Sequence, residues 1–226
     1  LTPYHYCSNN PVGRVDPSGM MDGDYIDLDG NYLGNDGVYD GKVYVVTSAS
    51  ECKAIARNEA DGKTTPLSEV NSAIDLVVPQ EIRAQIVDGI WDRECGDPYR
   101  EYGGIVRDLA VLGSSGYDVD WGIGSERWFG QESIGFDYNT CHGMGTPIVF
   151  FHSHGNGELE SNECLPMDQF PSPADIRNAG ANVRISALNV QISTHENKAN
   201  IFNPEGYISL PLKVFRNANN THTPRQ

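Results

Sequence analysis

The chain is expected to fold as an α+β domain, a mixed β-sheet flanked by helices, and three features of its sequence predict this. Apolar residues recur at helical spacing between Pro66 and Trp91, ahead of the main strand-like runs. Short β-branched and aromatic runs then follow, separated by glycine-rich turns, and one further helix start precedes a pair of terminal hairpin strands. Helices grouped in front of strands, instead of alternating with them, describe α+β and not α/β architecture. No segment repeats.

The elements follow in order. Residues 21–60 are rich in Asp and Gly and read as a β-hairpin with a linker. Tyr25-Ile26-Asp27-Leu28 and Tyr32-Leu33 flank the turn Asp29-Gly30-Asn31. Asp27, Asp29, Asn31 and Asp36 invite a calcium-loop reading, but the run lacks the glutamate and the flanking helices that such a loop needs. Lys42 to Thr47 is a strand, and Glu51 to Lys63, charged and turn-rich, a linker or surface loop. The principal domain is expected over residues 61–216. Leu67, Val70, Ala73, Ile74 and Val77 predict one helix; Ile82, Ile86, Val87, Ile90 and Trp91, after Pro79, predict a second, stopped by Cys95-Gly96-Asp97-Pro98. A strand over Glu101 to Leu112 precedes a glycine-rich stretch reaching Gly145, and residues 147–154 form a buried strand. Ser172 to Ala179 is a short helix closed by Gly180. Arg184 to Thr194 and Ala199 to Asn203 pair as a hairpin turning at His195-Glu196-Asn197, with Tyr207 to Phe215 as a last strand and residues 217–226 as a polar tail.

The chemistry concentrates in Phe150-Phe151-His152-Ser153-His154 and in Ser172-Pro173-Ala174-Asp175. Strand side chains alternate between faces, so His152 and His154 project from one face, close enough to share a metal ion. Ser172 is a helix N-cap, Pro173 the first helical residue, and Asp175 the acid three positions after the cap. Two neutral imidazoles and a carboxylate, with a coordination position left for water, make the ligand set of a catalytic zinc. Upstream, Glu101-Tyr102-Gly103-Gly104-Ile105-Val106 is a strand that opens with an acid. His142, His195 and His222 sit in loops, a turn and the tail, where solvated histidines are the rule. Trp121, Trp128 and Phe129 lie among glycines, as a lip over a cleft or as core.

Composition limits the function classes. The 226 residues suffice for one globular domain with a flexible front end. A net charge of −15 argues against nucleic acid as partner, because phosphate contacts need a basic face. The 5 cysteines are scattered without a Cys-x-x-Cys pair, as expected of reduced thiols and not of a cysteine zinc cluster. No 18-residue apolar run predicts a membrane span, and residues 1–20 have no signal-peptide core. A piece of a larger polypeptide would need no signal of its own.

A glutamate before a Gly-Gly-Ile strand, then His-Ser-His, then Ser-x-x-Asp, resembles the JAB/MPN (JAMM) metallopeptidase family, and more closely the JAB-like domains at the C-termini of Rhs polymorphic toxins. The motifs run from Glu101 to Ile176. The resemblance implies a cytidine-deaminase-like sheet domain in which His152, His154 and Asp175 hold zinc (Zn2+). It makes Glu101 the general acid/base and Ser172 the group that steadies the oxyanion. Seventeen residues, Gly155 to Pro171, separate His154 from Ser172, more than the family's usual spacer. They include Glu158, Glu160, Glu163, Cys164 and Asp168, so this insertion either faces substrate or supplies a ligand in place of Asp175.

The N-terminal run Tyr4 to Met20, with Asn9-Asn10-Pro11 and Asp16-Pro17-Ser18-Gly19-Met20, is similar to the end of an Rhs-repeat core. That likeness implies an aspartyl autoprotease that cuts after Met20, with Asp16 one of its acids and Pro17 and Gly19 part of the processing signature. It further implies a bacterial toxin secreted as an effector and delivered into a target bacterial cell, by type VI secretion. Its partners would be the Rhs core cage, a protein substrate and a cognate immunity protein. A metal-free JAB-like binding or scaffold module, and a zinc hydrolase acting on a non-protein amide, stand as the alternatives.

Overall fold

Short apolar runs build two mixed sheets, which with four α-helices make the chain α+β among the residues described. The computed structural model describes residues 24–38, 40–96, 100–126, 138–154, 170–183 and 187–218. Asp16, Pro17, Gly19 and Met20 of the expected processing signature, residues 155–169, Trp128, Phe129 and residues 219–226 lie outside them. Two compact units meet in sequence between Leu76 and Val77, whereas the sequence suggested a boundary after residue 60. Among the described residues no helix is long and apolar enough to cross a membrane.

The first unit carries strands β1 (Asp24–Ile26), β2 (Tyr32–Asn35), β3 (Val43–Val46) and β4 (Ala73–Asp75) in the order β2-β1-β3-β4. The Asp27 carboxylate accepts hydrogen bonds from the Asp29 and Asn31 backbone and from Asn31 Nδ2, so this acid serves the hairpin turn. Helix α1 (Ala49–Ala60) stands where a linker was expected. Its alanines, glutamates, lysine and arginine favour helix, and Ile55 is its one fully buried residue, so propensity marks it better than apolar periodicity does. Ile55 packs with Tyr25, Leu33, Tyr44, Val46 and Val70. The helix expected from Leu67 to Val77 is absent. A 3-10 turn, Leu67–Glu69, is followed by β4, which pairs with β3. The Glu51 carboxylate accepts from the backbone N–H groups of Asn71 and Ser72, and Val77 has a φ of 65° that no α-helix contains.

The second unit runs α2 (Gln80–Gly96), β5 (Arg100–Asp108), β6 (Tyr117–Glu126), β7 (Thr146–Ser153), α3 (Pro173–Val183), β8 (Leu188–Ser193), β9 (Lys198–Asn203), β10 (Gly206–Pro211) and α4 (Leu212–Asn217). The sheet order is β10-β9-β8-β7-β5-β6, with β7 and β8 parallel and every other neighbouring pair antiparallel. Three local expectations are corrected. The glycine-rich stretch contains β6, α3 continues through Gly180, and the last expected strand ends at Pro211 and turns into α4.

Strand alternation divides β7 between the faces of the sheet. Phe151 and Ser153 look toward α2. Trp121 meets Phe151 edge-on at 5.0 Å, and the Arg93 guanidinium lies 3.8 Å over its indole. The indole rests on Gly89 of α2, where an added Cβ would collide with the ring, so Trp121 is core packing. The Arg83 guanidinium is buried and donates from Nε to the Phe215 carbonyl at 2.8 Å and from Nη1 to that of Val78, tying α2 to α4. Phe150, His152 and His154 occupy the other face.

Candidate metal centre

β7 is central in its sheet, and the chain leaves it at His154, where the backbone N–H still donates to the Ile192 carbonyl at 3.2 Å. That bond holds the second histidine in strand geometry. His152 is 2 % exposed and His154 6 %, and their rings lie 5.1 Å apart on the same face, as the spacing requires. Asp175 comes from the first turn of α3. Ser172 Oγ and backbone N–H donate to Asp175 Oδ2 at 2.7 and 2.8 Å, and the Asp175 N–H donates back to Ser172 Oγ at 3.2 Å. This is a capping box whose acid also belongs to the site.

His152 Nε2 and His154 Nε2 each stand 3.6 Å from Asp175 Oδ2, and the three ligand atoms lie within 4.8 Å of one another. A contact of 3.6 Å is too long for a hydrogen bond. It is near the separation of ~3.4 Å between two donors at zinc-bond distance from one tetrahedral ion. His152 Nε2 is buried with no hydrogen-bond partner, a cost of ~1–3 kcal/mol that a coordinated ion removes. Burial holds the His152 imidazole below its ordinary pKa, against the pull of Asp175, and so favours the neutral form that can ligate. Burial alone would raise the Asp175 pKa, but the two imidazoles and the Ser172 hydroxyl hold its carboxyl well below the usual carboxylate range. The donor set therefore fits a divalent ion of the zinc type. Among the described residues Asp175 is the carboxylate that joins the two imidazoles. Glu158, Glu160, Glu163, Cys164 and Asp168 lie outside the described residues.

Glu101 is 3 % exposed at the start of β5. Gly103 pairs directly with His152, and Glu101 stands two residues earlier, near enough for its charge to act on Tyr138 beside His152. A Cβ on Gly103 would strike the Phe151 carbonyl and the His152 backbone, 2.9 Å from its Cα; glycine lets β5 close on β7 beside His152. Ser172 lies behind Asp175, and in this arrangement its hydroxyl proton goes to that carboxylate.

Two further residues carry no motif. Tyr138, in the 3-10 turn Tyr138–Thr140, has its hydroxyl 3.1 Å from His152 Nδ1. Burial and the charges of Asp175 and Glu101 raise its pKa, so the phenol stays protonated and within electrostatic reach of both acids. Glu94 of α2 is buried beneath the end of β7 and accepts from Thr194 Oγ1. Burial raises its pKa, opposed by Thr194, Ser153 and His154. Ser153 Oγ in turn accepts from the Tyr102 N–H at 3.2 Å, next to Glu101. His142 and His195 are exposed and stand outside the cluster. None of the described cysteines, Cys52, Cys95 and Cys141, forms a disulfide.

Comparison of the chain with protein-family models, with curated proteins and with solved structures yields no match. What the site can do is therefore argued from its own geometry.

Proposed function

We propose that the chain is a zinc-dependent hydrolase of amide bonds in proteins, a peptidase or isopeptidase of JAB/MPN type borne as the toxin domain of an Rhs polymorphic toxin. The observation that supports it most is the convergence of two buried imidazoles and a helix-start carboxylate beside the buried Glu101. His152 and His154 would hold the ion through Nε2, and Asp175 through its carboxylate. When bound, zinc is a Lewis acid that polarises a carbonyl and brings water toward ionisation near neutral pH. Glu101 takes a proton from the attacking water on its carboxylate and hands it to the leaving nitrogen as the C–N bond breaks. Ser172 keeps Asp175 turned toward the imidazoles; donation to an oxyanion would require its hydroxyl to rotate away from Asp175. As a delivered effector the chain needs an immunity protein in the cell that makes it.

Glu101→Gln preserves shape and removes the base. The expected result is about one zinc per chain in both wild type and variant. Casein hydrolysis and toxicity are lost ~10²–10⁴-fold in the variant only. Zinc loss in Glu101→Gln would make Glu101 a ligand. A wild type that carries no zinc would make the chain a metal-free binding module. Cleavage of cell-wall fragments with casein untouched would move the substrate to a non-protein amide.

A further inference from the structure

Neutral histidine has one protonated and one bare ring nitrogen, and only the bare one can hold a metal. For His152 the bare nitrogen must be Nε2, since this is the atom that faces Asp175 and His154. Its Nδ1 must then carry the proton and find an acceptor. The Tyr138 oxygen, 3.1 Å away, is that acceptor.

We propose that Tyr138 is a positioning residue, which fixes the His152 ring in the tautomer and orientation that turn the Nε2 lone pair to the metal site. The inference rests on the metal-binding reading above.

Tyr138 is built to hold still. Its ring stands edge-on to Phe150 at 5.2 Å, two residues before His152 on the same face. It packs against the cluster of Ile105, Cys141, Phe150 and Ala187. The turn that carries it is closed by the Cys141 N–H donating to the Tyr138 carbonyl at 3.1 Å, and Cys141 Sγ reaches the Asp120 carbonyl of β6 at 3.5 Å. Phe202 of β9 supports His152 edge-on at 6.0 Å, so ring packing and one hydrogen bond determine how the imidazole lies. Without the phenol oxygen the proton is free to move to Nε2, where the Asp175 carboxylate attracts it, and the ligand atom is then blocked. Outer partners of this kind are typically worth ~10–100-fold in metal affinity.

The test is Tyr138→Phe, which keeps the ring and deletes the oxygen, beside Tyr138→Leu, which deletes both. In metal-free protein, ring-nitrogen NMR shifts of His152 should report the Nδ1-protonated tautomer in wild type and a mixture or its reverse in Tyr138→Phe. Zinc affinity, read by competition with a chromophoric chelator, should fall ~10–100-fold in Tyr138→Phe while its melting temperature stays near wild type. Tyr138→Leu should lose stability as well. Unchanged His152 shifts in Tyr138→Phe, or an Nε2-protonated wild type, would overturn the proposal even if zinc binds. So would a melting temperature that falls as far with Phe as with Leu, since Tyr138 would then be plain packing. Should wild type show the expected tautomer and its loss in Tyr138→Phe, yet bind no zinc, the hydrolase reading fails and the positioning role of Tyr138 stands.

Discussion

Asp175 serves the helix and the site with a single carboxylate: it closes the capping box with Ser172 and faces both imidazoles. Removing the Ser172 hydroxyl loosens both at once. Ser172→Ala is expected to cost ~1 kcal/mol of stability through the lost cap. It should also weaken zinc binding ~10-fold through a freer Asp175, whereas Ser172→Thr keeps both. Urea denaturation and chelator competition measure the two effects. Equal zinc affinity in Ser172→Ala would show that the cap plays no part in the site. At this scale His152, His154 and Asp175 were legible because strand alternation and cap chemistry are local rules that act over two or three residues. Tyr138 and Glu94 were not. Tyr138 stands in a loop with no periodic pattern, and Glu94 sits in the last turn of a helix, where an acid usually faces water. Only the fold brings the one to His152 and buries the other beneath Ser153 and Thr194.

At the scale of elements, α2 carries the clearest test of packing against propensity. Alanine is favoured over glycine within a helix by ~1 kcal/mol, which alone would make Gly89→Ala stabilising. The Trp121 indole occupies the space where that methyl would go, and overpacking costs ~1–3 kcal/mol. The expected net change is a loss of stability, seen as a lower denaturation midpoint and a shifted Trp121 fluorescence. A gain would mean that the indole can move aside freely. The same helix shows what periodicity can and cannot tell. Ile86, Val87 and Ile90 are buried as their spacing predicts, but Trp91 is 49 % exposed, and Arg83 and Glu94 are buried in its stead. β6 was missed because glycines interrupt it, although Tyr117, Val119, Trp121 and Ile123 alternate as a strand should. In Leu67 to Val77 a helical period was present, and pairing with β3 overrode it.

For the whole molecule, each unit has its own sheet, and the candidate ligands His152, His154 and Asp175 lie in the second. If the site binds zinc as proposed, binding would stabilise residues 77–218 by mass action, by ~4 kcal/mol at a free zinc concentration a thousand times the dissociation constant. Hydrogen exchange on chelator-stripped protein should show zinc raising protection in β5, β7, α3 and β8 and leaving β1 to β4 and α1 unchanged. An equal rise in both units would show that they unfold as one. The α+β class was legible in the sequence at this scale; the boundary at Leu76 was not, because β4 belongs to the first sheet through a pairing that no local signal announces.

Since β7 and β8 are parallel neighbours, the chain leaving His154 must travel back along the sheet before β8 can begin, and α3 lies on that return path, packed on β8 and β9. Asp175 is held by the helix and the helix by the sheet, so the placement of its carboxylate does not depend on the number of residues between His154 and Ser172. The sequence between His154 and Ser172 can thus vary in length and composition while His152, His154 and Asp175 keep their mutual geometry.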